Sequence, residues 1–319
     1  MSADDRTEWL ERFRASTMTG GIVTIGAFDG LHRGHRALIG GAVDRARSLH
    51  VPSVAVTFEP IPAFVLRSDR FLGRICTAID KRRELAALGL DEVVTLRFDL
   101  DLARRTPWEF MNALSEHLIL RELWVGEAFA LGRDRTGDIE RLREIGAELD
   151  FEVVAVARLV DGGAVVSSSA IRAAIVTGDV ALVKTLLGRP FRVTGEVIHG
   201  AHLGRTIGFP TANVVPQVDL AALADGIYVS MITLPGETAA REAMTYVGTR
   251  PTVNSGDRLI ETNILDFSGD LYGQIVTVDF LHRLRGDESF DGLEALVAQL
   301  RLDEAATRTY LRGSGDVPD

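Results

Sequence analysis

The feature that most constrains the fold is a change of pattern near residue 187. Before that point, short apolar runs alternate with stretches of helical spacing. Strands are predicted at residues 21–27, 51–58, 92–97, 120–125 and 151–159, and helices at about 34–48, 81–88, 107–118 and 137–145. This alternation of strand and helix predicts a parallel sheet covered by helices.

After residue 187, short strands separated by Gly, Pro and Asn replace the alternating pattern. Strands are predicted at residues 192–199, 228–233, 243–248, 260–267 and 275–284. Regularly spaced short strands predict a compact antiparallel barrel. A last helix is predicted from 292 to about 311, where leucines recur at helical spacing. We therefore predict two domains, 1–186 and 187–319, as the length of 319 residues suggests.

Charge and cysteine content narrow the class of protein. The net charge of −10 argues against a general nucleic-acid binder, which usually carries a basic face. A single cysteine, Cys76, excludes an intramolecular disulfide and fits a reducing compartment. No apolar run has the ~18 residues of a membrane span, and residues 1–14 lack the apolar core of a signal peptide. We expect a cytoplasmic protein that acts on small molecules, without nucleic-acid or membrane partners, and leave open a weak homo-oligomer.

The first motif, residues 26–35 (GAFDGLHRGH), lies where the first predicted strand leads into the first helix. Ligands of open α/β sheets bind at the carboxyl ends of strands, and a helix N-terminus favours an anion. His32 and His35 can both point at that anion, and Gly34 lets the backbone approach it. This suits a triphosphate attacked at its α-phosphorus. A zinc site is disfavoured because Cys76 is remote and no other ligand is suitably spaced.

A second motif, residues 167–172 (SSSAIR), combines hydroxyls at a predicted helix start with an arginine. Serine hydroxyls can donate to oxyanions, and Arg172 supplies a planar cationic fork for phosphate. Serines are also preferred helix caps, which is the alternative interpretation. The histidine motif in the same module favours phosphate binding.

A third motif, residues 204–213 (GRTIGFPTAN), is the densest feature of the second half. Gly204 and Gly208 bracket a tight loop that could approach a nucleotide. Thr211 and Asn213 are two residues apart, so both side chains point the same way on an extended segment. A hydroxyl and an amide oxygen suit Mg²⁺. The alternative is a Pro-Thr turn in which Asn213 is a turn residue.

These motifs resemble those of the prokaryotic bifunctional riboflavin kinase/FMN adenylyltransferase (FAD synthetase) family. Further matching segments are 58–62 (FEPIP), 125–129 (VGEAF) with Gly132 and 137–138, 246–253 (YVGTRPTV), Glu261 with 265–267, 270–273 (DLYG), and Arg285 with Glu288 and Phe290. The resemblance covers nearly the whole chain. It implies an α/β protein: a Rossmann-like nucleotidyltransferase domain with a parallel sheet, then a small antiparallel β-barrel of the riboflavin kinase type with a terminal helix.

The resemblance also implies two reactions. The barrel would phosphorylate riboflavin with ATP to give FMN, and the first domain would adenylylate FMN with ATP to give FAD and pyrophosphate. The implied residues are Glu261, His32 and His35 for catalysis; Gly26, Phe28, Gly34, Ser168, Ser169, Arg172, Gly204, Arg205, Gly208 and Pro210 for ATP; Phe58, Pro60 and Arg285 for flavin; and Thr211 and Asn213 for Mg²⁺.

The implied base, Glu261, could take the proton of a primary alcohol that attacks the γ-phosphorus of ATP. On a strand that faced the barrel interior, a carboxylate would be costly without such a task. The alternative is an ordinary solvent-facing strand residue.

Five positions depart from the family pattern. Ala128 stands where the family usually has Asn or Asp, Ile61 where it often has His, Ser169 for Thr, Leu203 for a basic residue, and Asn263 for His or Tyr. Without a polar side chain at 128, ligand binding or transition-state stabilisation could be weaker by about 1–3 kcal/mol. One alternative is therefore a riboflavin kinase whose adenylyltransferase module is impaired or altered in substrate. A weaker one is a non-catalytic flavin- or nucleotide-binding regulator.

Overall fold

The computed structural model describes residues 21–66, 70–200, 203–216, 220–249 and 258–313. The predictions for residues 1–14, for 250–253 and for the side chain of Leu203 lie outside this description. The chain divides into two compact units, one formed by Met1–Phe71 and Ala78–Ser168 and the other by Leu72–Thr77 and Ser169–Asp319. The boundary at 186/187 stays a prediction about where the catalytic modules meet.

The first unit is built on the predicted parallel sheet. Its strands are β1 (Gly21–Ile25), β2 (Ser53–Glu59), β3 (Glu92–Arg97), β4 (Leu120–Gly126) and β5 (Glu152–Val156), followed by a small hairpin of β6 (Val160–Asp161) and β7 (Ala164–Val165). Its helices are α1 (Arg33–Leu49), α2 (Pro62–Leu66), α3 (Ala78–Ala87), α4 (Leu100–Ala103), α5 (Pro107–Ser115) and α6 (Ile139–Leu149). The order β3-β2-β1-β4-β5, with every neighbouring pair parallel, confirms the predicted sheet.

The position of β1 explains where ligands can bind. All five of its residues are buried between β2 and β4, as expected for a central strand covered on both faces. The chain therefore leaves the middle of the sheet at residue 26. The loop of residues 26–32 joins β1 to α1 at the carboxyl edge of the sheet, where open α/β sheets bind ligands.

The barrel follows two helices, α7 (Ser168–Thr177) and α8 (Val180–Leu187). Its elements are β8 (Phe191–Ile198), α9 (Leu203–Thr206), β9 (Ala212–Pro216), β10 (Gly226–Thr233), β11 (Arg241–Thr249), β12 (Arg258–Ile264) and β13 (Ile275–Arg285), and α10 (Leu293–Gly313) ends the chain's described part. The barrel closes in the order β10-β11-β12-β9-β8-β13, antiparallel throughout. This confirms the predicted barrel and terminal helix. It adds β9, a five-residue strand that the sequence pattern did not delimit.

The barrel interior is filled by aromatic rings and by a chain of hydroxyls. Tyr228 and Phe280 meet edge to face with their centroids 5.5 Å apart. The hydroxyl of Thr245 lies 2.7 Å from that of Ser230 and 3.0 Å from that of Thr262, and all three residues are fully buried. This interior packing determines which face of each strand is left for the outer surface. None of the helices that the structure describes is long and apolar enough to cross a membrane.

Candidate active sites

The histidine motif forms the start of α1. His32 is the N-cap residue, and its Nδ1 accepts a hydrogen bond from the backbone N–H of His35 at 3.2 Å. The two imidazoles stack with centroids 3.6 Å apart. Because Nδ1 of His32 is an acceptor, the proton of the neutral ring is on Nε2, which can donate to a ligand. The predicted convergence of the two rings at a helix N-terminus is thus present.

The loop before α1 is held in an uncommon backbone conformation. Phe28 and Leu31 have φ values of 47° and 42°, in the left-handed region, and both side chains are buried. The ring of Phe28 meets that of His35 edge to face at 5.3 Å. A Cβ at Gly26 would lie 2.7 Å from the Phe28 ring, so the first glycine of the motif makes room for this phenylalanine.

Gly34 has a role that sequence reasoning did not foresee. A Cβ at this position would lie 3.2 Å from Cε1 and Nδ1 of His32. The close approach that Gly34 permits in this structure is therefore that of an imidazole, and its contact with a phosphate stays a prediction.

Burial keeps both histidines neutral. It lowers the pKa of His32 to about 4, against a small opposing effect of a backbone hydrogen bond. It also lowers the pKa of His35 well below its usual value, and the nearby His32 adds to this. Nδ1 of His35 is buried without a hydrogen-bond partner among the described residues. The imidazoles can therefore act as neutral hydrogen-bonding groups.

A cleft of about 960 Å³ opens beside this motif, within the first unit. Its lining includes the predicted residues Gly26, Phe28, His32, Gly34, His35 and Phe58. One wall is apolar and aromatic, with Phe98, Phe110, Phe129 and Leu131. Four arginines that sequence reasoning missed are also among the lining residues: Arg104, Arg133, Arg135 and Arg158. An aromatic wall next to cationic groups suits a planar ring that carries phosphate.

The two departures in this unit differ in position. Ala128 lines the cleft, and its carbonyl accepts a hydrogen bond from Nη2 of Arg135 at 3.3 Å. Ile61 is 1% exposed and belongs to the core rather than to the cleft lining, and Pro60 is not among the lining residues either. Of these two residues, only Ala128 is therefore placed to contact a ligand in the cleft.

The residues of the serine/arginine motif bind to the backbone. The hydroxyl of Ser168 donates to the carbonyl of Asp29 at 3.0 Å, and Nε of Arg172 donates to the carbonyl of Gly73 at 2.8 Å. Ser169 lies beside Ser168 in the first turn of α7. Phosphate binding by these three residues stays a prediction.

In the barrel, strand register aligns the predicted catalytic groups. Glu261 on β12 lies directly opposite Asn213 on β9 and opposite Tyr246 on β11, so all three side chains are on one face. The neighbouring Thr262 belongs to the buried hydroxyl chain and so points inward. Glu261 therefore faces the outer surface of the barrel, and the premise of an interior carboxylate is not met.

A cleft of about 520 Å³ collects most of the predicted kinase residues. Its lining includes Gly204, Arg205, Pro210, Thr211, Asn213 and Glu261, and also Tyr272. Gly208 has a left-handed φ of 85° and is not among the lining residues.

Two local interactions shape this second cleft. A Cβ at Gly200 would lie 2.4 Å from Nδ2 of Asn213, so the missing side chain leaves room for that amide. Asn263, one of the departures, donates from Nδ2 to the carbonyl of Pro210 at 2.7 Å. The unusual asparagine thus supports the Pro210–Thr211 peptide from β12.

Arg285, predicted to bind flavin, is engaged in an ion pair with the terminal helix. Its Nη2 lies 2.8 Å from Oδ2 of Asp303, and its Nε also donates to that carboxylate. Burial opposes the charged form of Arg285, but the hydrogen bonds and charge of Asp303 raise its pKa overall. The structure thus places Arg285 between β13 and α10, and a flavin contact stays a prediction.

Tyr246 is the neighbour of Glu261 on β11, and sequence reasoning did not single it out. It packs against the buried cluster of Phe209, Ile227 and Met244, against which Val297 and Leu300 of α10 also pack. Burial, followed by the charges of Asp287, Asp225 and Glu261, raises its pKa to about 12. The hydroxyl of Tyr246 is therefore neutral, next to the carboxylate of Glu261. The signal in the sequence was the position of Tyr246 at the start of the YVGTRPTV segment.

The two units define a class of protein: a nucleotidyltransferase-like α/β unit followed by a kinase-like barrel. Family models agree, since that of FAD synthetase matches residues 15–170 and that of riboflavin kinase matches residues 187–311. The chain belongs to the family of bifunctional riboflavin kinase/FMN adenylyltransferases. It is 37% identical to the relative of that name from Escherichia coli K12 over 91% of this chain and 93% of the relative. Its identity to the relative from Pseudomonas fluorescens is also 37%, over 91% of this chain and 92% of the relative.

A solved structure from Streptococcus pneumoniae, described as a macrolide-efflux protein, is 34% identical and superposes with a TM-score of 0.83. The match covers 92% of this chain and 95% of that one. The comparisons confirm the resemblance and the fold class. They support the prediction of two activities and give no support to the alternatives of an impaired module or a regulator.

Proposed function

We propose that this chain converts riboflavin and ATP to FMN in the barrel cleft, and FMN and ATP to FAD in the cleft of the first unit. The observation that carries the proposal is that the histidine motif lines one cleft, while the residues predicted for Mg²⁺ and for the base line another. His32, His35 and Phe58 line the first cleft, and Thr211, Asn213 and Glu261 line the second. Relatives that share both family domains are named for these two activities.

In the barrel, Glu261 acts as the general base. The 5′-hydroxyl of riboflavin attacks the γ-phosphorus of ATP, its proton passes to the Glu261 carboxylate, and the bond to the β-phosphate oxygen breaks to release ADP. The hydroxyl of Tyr246, opposite Glu261 on β11, is neutral. Among the cross-strand neighbours Tyr246, Glu261 and Asn213, only the Glu261 carboxylate is therefore anionic and able to accept the proton.

The donor set next to Glu261 fits Mg²⁺. Thr211 offers a hydroxyl and Asn213 an amide oxygen, both hard ligands, and both line the cleft. The described residues contain no group of three or more His, Cys, Asp or Glu that could hold a metal alone. A small number of protein oxygens is sufficient for Mg²⁺, because water and ATP phosphates would supply its other ligands. When bound, the ion would neutralise charge on the transferred phosphoryl group.

In the first unit, a phosphate oxygen of FMN attacks the α-phosphorus of ATP, and the bond to the bridging oxygen breaks to release pyrophosphate. The N-terminus of α1 offers backbone N–H groups and a positive dipole end to the reacting phosphates. His32 donates from Nε2–H as a neutral group. Donors fixed in place before the reaction stabilise charge that develops in the transition state.

With Ala128, we expect the second reaction to be slower than it would be with an asparagine at this position. The reaction should still proceed, because the histidines and the helix N-terminus are in place. An Ala128→Asn variant should raise the rate of FAD formation from supplied FMN. An unchanged rate would show that position 128 does not limit the reaction.

The test is to incubate the pure protein with riboflavin, ATP and Mg²⁺ and to separate the flavins by chromatography over time. We expect FMN first and FAD later. FMN that never proceeds to FAD would contradict the adenylyltransferase activity, and unchanged riboflavin would contradict the kinase activity. We place these reactions in the cytoplasm, where a thiol such as that of buried Cys76 stays reduced.

A further inference from the structure

Lysine is rare in this chain. Only two of the 35 basic residues are lysines, Lys81 and Lys184, and the rest are arginines. Lys184 is exposed on α8, whereas Lys81 on α3 is 2% exposed. Burying an ammonium group is costly unless it is paired and hydrogen-bonded, and neither proposed reaction uses Lys81. A buried lysine in an arginine-rich chain therefore requires a local explanation.

The ammonium of Lys81 joins the carboxyl ends of two central strands. Its Nζ donates to the carbonyl of Phe58 at 2.7 Å and to that of Ala27 at 3.4 Å. It also lies 3.4 Å from a carboxylate oxygen of Glu59. The carbonyl of Ala27 accepts a further hydrogen bond from the hydroxyl of Thr57 at 3.2 Å. Ala27 and Phe58 both line the first cleft, so Lys81 acts on its wall from behind.

The peptide that Lys81 holds leads directly into the catalytic loop. Phe28, the next residue, has the left-handed φ of 47°, a conformation that a non-glycine residue keeps only when its surroundings fix it. The ring of Phe28 contacts that of His35. A displaced Ala27 peptide would therefore move Phe28 and, through it, the imidazole. At the other strand end, the same ammonium holds the backbone of Phe58, a wall of the cleft.

We propose that Lys81 is a positioning residue for FMN adenylylation: its ammonium fixes the carbonyls of Ala27 and Phe58 and thereby the histidine loop and the flavin wall. This inference rests on the proposed function. The compact ammonium, with three donors around a point charge, fits one carbonyl from the loop after β1 and one from β2, whereas the planar guanidinium fork of arginine is larger and differently aimed. This accounts for a lysine at this buried position.

The test compares Lys81→Met and Lys81→Arg with Lys184→Met as the matched control. FAD formation is measured from supplied FMN and ATP, and FMN formation from riboflavin is measured on the same samples. We expect both Lys81 variants to lose about 10- to 100-fold in kcat for adenylylation, the range for misplaced reacting groups, with a smaller change in KM for ATP. The kinase rate of all variants and both rates of Lys184→Met should match the wild type.

Folding is monitored separately, because a destabilised first unit would also lose activity. All three tryptophans lie at positions 9, 108 and 124, outside residues 169–319, so tryptophan fluorescence reports on the first unit. Rates are compared only under conditions in which this signal is that of folded protein. Thr57→Val supplies a milder variant, since it removes the other donor to the Ala27 carbonyl. We expect it to lower kcat for adenylylation about threefold to tenfold, in line with the removal of one hydrogen bond.

The outcomes separate this inference from the function on which it rests. A wild-type protein that makes no FAD from FMN would overturn the proposed function. An active wild type together with folded Lys81 variants of unchanged kcat would overturn the positioning role. If the Lys81 variants do not fold, an unchanged kcat in Thr57→Val overturns it instead.

Discussion

At the scale of single residues, the first cleft shows how burial sets the chemistry of a side chain. His32 and His35 stack on each other at the start of α1, and their desolvation lowers both pKa values. Two adjacent imidazolium charges in a buried site would repel each other, whereas neutral rings can stack and donate hydrogen bonds. The positive potential that meets the phosphates comes from the helix N-terminus and from the arginines of the cleft.

The lowered histidine pKa values predict how the stability of the first unit changes with pH. The unfolded chain takes up protons near pH 6.5, while folded His32 resists protonation down to about 4. The stabilisation is thus present above pH 6.5 and is lost as the pH falls towards 4, by about 2–3 kcal/mol for His32. Urea unfolding followed by tryptophan fluorescence should show a smaller loss between pH 6.5 and 4.5 in His32→Gln than in the wild type. The same loss in both would contradict the assignment, and His282→Gln, in the other unit, should behave as wild type.

A second prediction at this scale concerns the base. Glu261→Gln keeps the shape of the side chain but cannot accept the proton, so FMN formation should fall at least about 100-fold. FAD formation from supplied FMN should be unchanged, since Glu261 lies in the other cleft. Glu242→Gln, an exposed glutamate on the adjacent β11, is the matched control. A kinase rate within tenfold of wild type would show that Glu261 is not the base.

At the scale of elements, ion pairs join α10 to the barrel: Arg308 of the helix pairs with Asp266, and Asp303 of the helix pairs with the more deeply buried Arg285. The carboxylate of Asp303 accepts from Nε and Nη2 of Arg285 and from the side chain of Gln299. Val297 and Leu300 of the same helix pack against Phe209, Ile227 and Met244, the cluster that Tyr246 also contacts.

Removing one partner of the Asp303–Arg285 pair should loosen the helix. Asp303 is 4% exposed, so Asp303→Ala leaves the Arg285 guanidinium without its acceptor and should destabilise the second unit by about 3–5 kcal/mol. Glu304→Ala, which removes a partly exposed ion pair with Arg308, should cost at most about 0.5 kcal/mol. All four tyrosines lie in the second unit, so urea unfolding can be followed by tyrosine derivative absorbance. Equal losses in the two variants would contradict the role of Asp303.

At the scale of the whole molecule, each cleft is lined entirely by residues of one unit. An acidic chain, with a net charge of −10, binds two triphosphates through local groups rather than through its overall field. The groups that we expect to do so are the N-terminus of α1, the hydroxyl of Thr211 and the arginines that line the clefts. The residues that line each cleft thus come from a single unit, although Ser169 and Arg172, predicted to bind phosphate in the first reaction, are counted in the second unit.

This separation predicts that the two activities can be divided between molecules. His35→Gln should retain the kinase activity and lose most FAD formation, and Glu261→Gln should do the reverse. A mixture of the two variants should convert riboflavin to FAD after a lag, because FMN released by one is used by the other. Chromatography of the mixture against each variant alone is the measurement. No FAD from the mixture would mean that free FMN does not reach the second molecule.

The sequence by itself determined the two-part architecture and indicated most of the candidate site residues. Strand and helix alternation predicted the parallel sheet, and evenly spaced strands predicted the barrel, because these patterns depend on local periodicity. The motifs indicated His32, His35, Thr211, Asn213 and Glu261 for a similar reason. Each of these residues lies in a short contiguous segment whose residue types and spacing point to a chemical role.

Only the tertiary structure decided contacts between distant segments. Strand register placed Glu261 beside Asn213 and Tyr246 on the outer face of the barrel, which no local pattern specifies. Burial made the histidines neutral, put Ile61 in the core and took Arg285 into an ion pair. Folding also placed the ammonium of Lys81 next to the carbonyls of Ala27 and Phe58, which are distant from it in sequence. Local spacing indicates which side chains are candidates for binding or catalysis. Their pKa values and hydrogen-bond partners depend on desolvation and packing, which arise only when the whole chain has folded.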